Sequence, residues 1–173
     1  ERRKQWSLHN IMKSIGASHS FLVTGHTHAL MQEKIREELE KNQFDLIHVE
    51  TFYVLQNLLK SPLPPLRKGG DPQVGGFIPI VLVDHNIEYL VYQRFVDRTP
   101  FLVRSLLAMD VAKIRREEED AWRKVTKVIS VSEVDKHVMQ AAGITSTIVA
   151  NGVDIKKFGF KEREKILDKQ EKR

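Results

Sequence analysis

The chain has no cysteine in its 173 residues. That excludes a disulfide scaffold, a thiol nucleophile and any cysteine-ligated zinc or iron–sulfur centre, and it fits a reducing compartment. It has no apolar run approaching the roughly 18 residues that a membrane-spanning helix needs. The charged opening Glu1-Arg2-Arg3-Lys4-Gln5 lacks the apolar stretch of a secretory signal, and it lacks an initiating methionine, which points to an excised or processed chain. Glycine and proline are scarce outside one place: four of six prolines and four of nine glycines fall in residues 61–76, which read as a long surface loop.

A 41% hydrophobic share is too high for a disordered chain and supports one domain of ordinary size. The net charge of +5 is unevenly spread. Residues 156–173 carry eight Lys/Arg against four Asp/Glu, so nearly all the excess sits in a polar tail. A nucleic-acid domain concentrates positive charge on a folded face, so the tail reads as solvated and no nucleic-acid partner is expected. A polyanion-binding protein driven by that tail is the competing class, and steeply salt-dependent binding would reveal it.

The hydrophobic pattern alternates. Residues 4–16 are helical, with Trp6 in the core and Gly16 as a cap. Phe21-Leu22-Val23 is either a strand or a helical turn. Residues 28–42 form a helix, 44–49 a buried strand, and 52–60 a helix. The second strand runs over 77–83, with pairing beginning after Pro79. Helices follow over 86–96 and from Thr99-Pro100 to about 125. The apolar stripe of the long helix includes Val111, Ile114, Ala121 and Trp122, and the run Arg115–Asp120 is expected on its wet face. Residues 127–131 form the third strand. Ser132 caps a helix over 133–142 that Gly143 closes, 147–149 form the fourth strand, and Asn151-Gly152 signals a turn. This βαβ repetition predicts an α/β fold: a Rossmann-like parallel sheet with helices on both faces.

In such sheets ligands bind beyond the carboxyl ends of the strands. The informative residues are therefore Glu50 and Thr51, then Asp84, His85, Asn86 and Glu88, then Ser130 and Ser132, then Asn151, Gly152 and Asp154. An imidazole in the densest of these polar clusters can donate or accept a hydrogen bond near neutral pH. The plainer alternative is that Asp84 or Asn86 caps the next helix. His19, His26 and His28 lack a carboxylate or fourth ligand at a metal-site spacing, so no metal is expected. Ser130 and Ser132 lack a nucleophile-elbow context, and the paired glycines lack a phosphate-loop context.

The segments FDLIHVE, IPIVLVDHNIEY, AWRKVTKVISVSEVDKHVM and STIVANGVDIKKF occur in that order. Together they resemble the N-terminal, acceptor-binding domain of group 1 (family 4) retaining GT-B glycosyltransferases, over about residues 44–158. The resemblance implies that residues 1–155 are a Rossmann-like domain incomplete at its N-terminus, and that 156–173 are a charged linker toward a C-terminal domain that holds the nucleotide sugar. It implies sugar transfer from a nucleotide-sugar donor to a sugar or lipid-linked acceptor, with retention and no cofactor. His85 would be the catalytic group near the donor sugar, and the other ten residues would line the substrate side. The family's leading strand, glycine-rich loop and paired-glutamate donor motif have no counterpart in the chain, so a fragment inactive by itself is expected, with an open sheet edge available to a second copy. The expected location is cytoplasmic, with peripheral contact at the membrane face. A non-catalytic α/β binding or regulatory module is the alternative reading.

Overall fold

The structure is a computed structural model, and it describes residues 17–59, 78–154 and 156–158. The expected helix at 4–16, with Trp6 and Gly16, the loop at 61–76 and most of the tail lie outside the described residues.

Helix α1 spans Phe21–His26 and α2 spans Ala29–Lys41. They lead into strand β1 (Ile47–Glu50), a 3-10 turn (Phe52–Val54) and α3 (Leu55–Leu59). Strand β2 is Ile80–Asp84. Helices α4 (Glu88–Asp97) and α5 (Phe101–Lys124) form a hairpin before β3 (Lys127–Ser130). Helix α6 (Glu133–Ala141) and β4 (Ser146–Ile148) close the series. The four strands pair in the order β1-β2-β3-β4, all parallel, and helices flank them: a Rossmann-like α/β arrangement.

The register explains the core. Val49, Leu82, Val128 and Ser146 stand in one row across the sheet, and all four are buried. Against this face pack Phe52, Leu55, Ile114, Trp122 and Met139, supplied by the helices and the 3-10 turn. Each such side chain contributes about 1.5–3 kcal/mol on burial. The next row over points to the other face, as the two-residue period of a strand requires. There His48 and Lys127 are exposed and Val81 is half-buried.

Several boundaries differ from the hydrophobic pattern. β1 begins at Ile47, leaving Phe44 and Leu46 exposed. Pro79 has no N–H to give, but its carbonyl accepts from Ile47 N at 2.9 Å, and this bond opens the ladder. Phe21-Leu22-Val23 resolves as helix, because Ser20 Oγ accepts from Val23 N at 3.3 Å and caps the turn. Ser132 caps α6 in the same way through Asp135 N, and Gly143 closes that helix at φ 79°. No turn forms at Asn151-Gly152. Gly152 does not adopt a left-handed φ, and the chain turns later, where Asp154 Oδ1 accepts from Lys156 N and Lys157 N.

The largest correction concerns α5. Glu117 and Glu118 lie inside the protein, not on the wet face, and Glu118 is fully buried. Glu118 falls one turn after Ile114 and one turn before Trp122, on the apolar stripe itself. Its two oxygens accept from Glu88 N (2.8 Å) and Tyr89 N (3.0 Å). Glu117 accepts from Ser20 N and from the His19 ring, and Asp110 accepts from Phe21 N. Three carboxylates of one helix thus satisfy the first turns of two others, where unpaired N–H groups and the helix dipole favour negative charge.

Candidate functional site

The carboxyl ends of β2, β3 and β4 lie level, since Asp84 pairs with Ser130 and Ser130 with Ile148. The expected site residues cluster beyond this edge, and they divide into two groups.

Asp84 and Ser130 are turned inward. Asp84 is buried and accepts from Trp122 Nε1 at 2.5 Å, while Ser130 Oγ meets Ser146 Oγ at 3.2 Å inside the sheet. Neither side chain offers surface to a ligand, so both serve as struts beneath the edge. Burial raises the Asp84 carboxyl to about 6, against the opposing pull of the Trp122 N–H. Burial, reinforced by the charge of Asp84, raises Glu118 to about 9 against its two backbone N–H bonds. Glu88, half-buried beside them, is raised by burial as well. Asp84, Glu88 and Glu118 therefore form an acidic layer that favours its protonated forms.

The outward group is Glu50, Thr51, His85, Asn86 and the stretch Asn151–Asp154. Glu50 pairs in register with Val83, so His85, two residues further along β2, emerges beside it. His85 Nε2 lies 3.8 Å from Glu50 Oε2, with the two side chains 41% and 67% exposed. Thr51 sits between β1 and the 3-10 turn at φ 69°, ψ 138°. It is the only described non-glycine residue with positive φ, and its N–H bonds Val83 O at 3.0 Å. A β-branched residue in that region is strained by about 1–3 kcal/mol, and such strain gathers at ligand-contacting turns. Asn86, Asn151, Gly152 and Asp154 are exposed, while Ser132 is half-buried in its capping role. Neither Asp84 nor Asn86 caps α4, because Glu118 does so from across the core.

The chemistry available at this edge is that of an oriented imidazole: a hydrogen-bond donor or acceptor, steadied by a carboxylate and open to solvent. Metal ligation has no comparable footing. Among the described residues no group of three or more His, Asp or Glu could hold an ion. His19 pairs with Glu117, His26 bonds Leu22 O and stacks on Tyr53, and the His28 N–H goes to Asn57.

Alongside the edge, a groove of about 720 Å³ follows β1 and is lined by Met31, Ile35, Leu39, Leu46, Val54 and Leu58, reaching Glu50 at its end. Ile47 N and Thr51 N face β2, so the backbone groups of Leu46, His48 and Glu50 face outward, along the free edge of the sheet.

Sequence reasoning missed Glu117, Glu118 and Asn57. Buried Asn57 accepts from His28 N and donates to His26 O, joining α1 to α2. The helical phase of Glu118 was a readable signal, but nothing local marks Asn57. No helix among the described residues is long and apolar enough to cross a membrane. Compared with known proteins, the chain matches no family model, no curated protein and no solved structure.

Proposed function

We propose that the chain supplies the acceptor side of a retaining glycosyltransferase that moves a sugar from a nucleotide-sugar donor to a sugar or lipid-linked acceptor. The observation that supports this reading is the Glu50–His85 pair beside strained Thr51, at the carboxyl edge of an all-parallel sheet. The order of the four motif segments adds the family. In this reading His85 is catalytic. It donates a hydrogen bond toward the reacting sugar and stabilises developing charge, without acting as a nucleophile. Glu50 orients the imidazole, and Thr51, Asn86 and Asn151–Asp154 contact substrate. Asp84, Glu88, Ser130 and Ser132 hold the edge from beneath. The donor nucleotide is bound by a second domain, so the chain alone transfers no sugar.

The test is a titration of the isotopically labelled chain with acceptor glycosides and with nucleotide sugars. Acceptors are expected to move the amide signals of Glu50, Thr51, His85, Asn86 and Asn151. Shifts confined to other regions, or none with any glycoside, would remove the carbohydrate reading and favour a non-catalytic binding module. Tight binding of a nucleotide sugar to this chain alone would mean that the donor site had been assigned to the wrong domain.

A further inference from the structure

The hairpin of α4 and α5 extends well past the sheet. Glu118 marks its base, where it caps the first turn of α4. Phe101 lies 17 residues earlier on the same helix, about 25 Å along the axis at 1.5 Å per residue. The core supplies no cover there. Phe101 is 81% exposed and Met109 56%, and Val91, Val103 and Leu106 are exposed as well. Exposed arginines alternate with these side chains: Arg94 and Arg98 on the outer stripe of α4, and Arg104 in the first turn of α5, against the single acid Asp97.

We propose that this hairpin tip docks on an anionic lipid surface. The composition separates a membrane from a protein partner. The centre of a protein–protein contact is depleted in charge, whereas this patch interleaves arginine with aromatic and aliphatic side chains. An anionic bilayer accepts both at one depth: apolar groups enter the headgroup–acyl boundary while arginines meet the lipid phosphates. Without a spanning helix the contact is peripheral and reversible. The site edge, from which α4 departs at Glu88, would then face the lipid across the length of the hairpin. The proposal does not depend on sugar transfer, and its test involves no sugar.

The full chain is incubated with neutral phosphatidylcholine vesicles and with vesicles containing a third phosphatidylglycerol, then separated by flotation. Binding to the anionic vesicles is expected, weakened by added salt as charge contacts require. The double variant Phe101→Ser/Met109→Ser should lower the vesicle partition coefficient at least roughly tenfold, since two large apolar groups no longer enter the boundary. Both positions lie outside the core, so its circular dichroism should match the parent. The variant also separates the hairpin from the basic tail at 156–173, which it leaves intact. Failure of the parent to float with anionic vesicles would overturn the proposal. So would equal binding of parent and variant, which would assign the contact to the tail. A change in oligomeric state without a change in vesicle binding would make the tip a protein interface and overturn it too.

Discussion

Removing the Glu118 carboxylate should weaken the fold, and it should do so in a pH-dependent way that identifies the cause. Glu118→Ala leaves the N–H groups of Glu88 and Tyr89 without acceptors inside the protein. Loss of a helix cap costs about 0.5–2 kcal/mol, and an orphaned buried donor about 1–3 kcal/mol. A net loss of about 2–4 kcal/mol follows, which for a chain of this size lowers Tm by roughly 5–15 °C. Glu118→Gln retains one acceptor and should lose about 1 kcal/mol, but it cannot ionise. In the unfolded chain Glu118 holds its proton only below about 4.5, and in the folded protein up to about 9. Folding therefore takes up a proton between those values, and stability falls as pH rises through the window, by at most about 1.4 kcal/mol per pH unit. Asp84 adds the same sign, but only from 3.8 to about 6. The stability difference between parent and Glu118→Gln, followed by thermal denaturation at 222 nm, should thus change steadily between pH 6 and 9, where Asp84 has ceased to contribute. Parallel profiles over that range would refute the reasoning, and would mean that the two N–H bonds hold Glu118 as an anion.

Thr51→Gly should be neutral or stabilising by up to about 2 kcal/mol, because relief of about 1–3 kcal/mol of strain outweighs the entropy of an added glycine; a clear fall in Tm would mean that the Thr51 side chain contributes more than its strain costs. The free edge of β1 should let the chain self-associate at high concentration, and Leu46→Lys should reduce this in light scattering; a strict monomer at millimolar concentration would contradict it. In the complete enzyme, His85→Ala should lower kcat by ~10²–10³ while leaving nucleotide binding nearly unchanged; wild-type turnover by a folded variant would end its catalytic role.

The sheet was legible because its strands are short β-branched runs bounded by turn residues, and because Pro79 announces where the ladder opens. Its carboxyl edge followed from chain order alone. What sequence could not separate was which polar residues at that edge face outward. Asp84 and His85 are neighbours, yet one is buried under Trp122 and the other half-open beside Glu50. A strand's alternation decides between them only once the covered face is known. The run Arg115–Asp120 misled for a different reason: six consecutive charges read as a solvated face, although helical phase already put Glu118 among Ile114, Ala121 and Trp122. The run was judged by composition where periodicity should have ruled.

Rigidity and openness at this edge have a common origin. The acids of α5 fasten the starts of α1 and α4 from within, so the turn carrying His85 and Asn86 is held at its base without any polar side chain of its own. Ser132 and Asp154 perform similar service for the segments after β3 and β4. Glu50, His85 and Asn151 are thereby spared structural hydrogen bonds and left toward solvent. An electrostatic contact made there is weak while water has access, and it strengthens once a ligand or a second protein surface displaces that water. The same edge that is held firmly from beneath is thus energetically incomplete from above. That combination suits a surface that acts only when something closes over it.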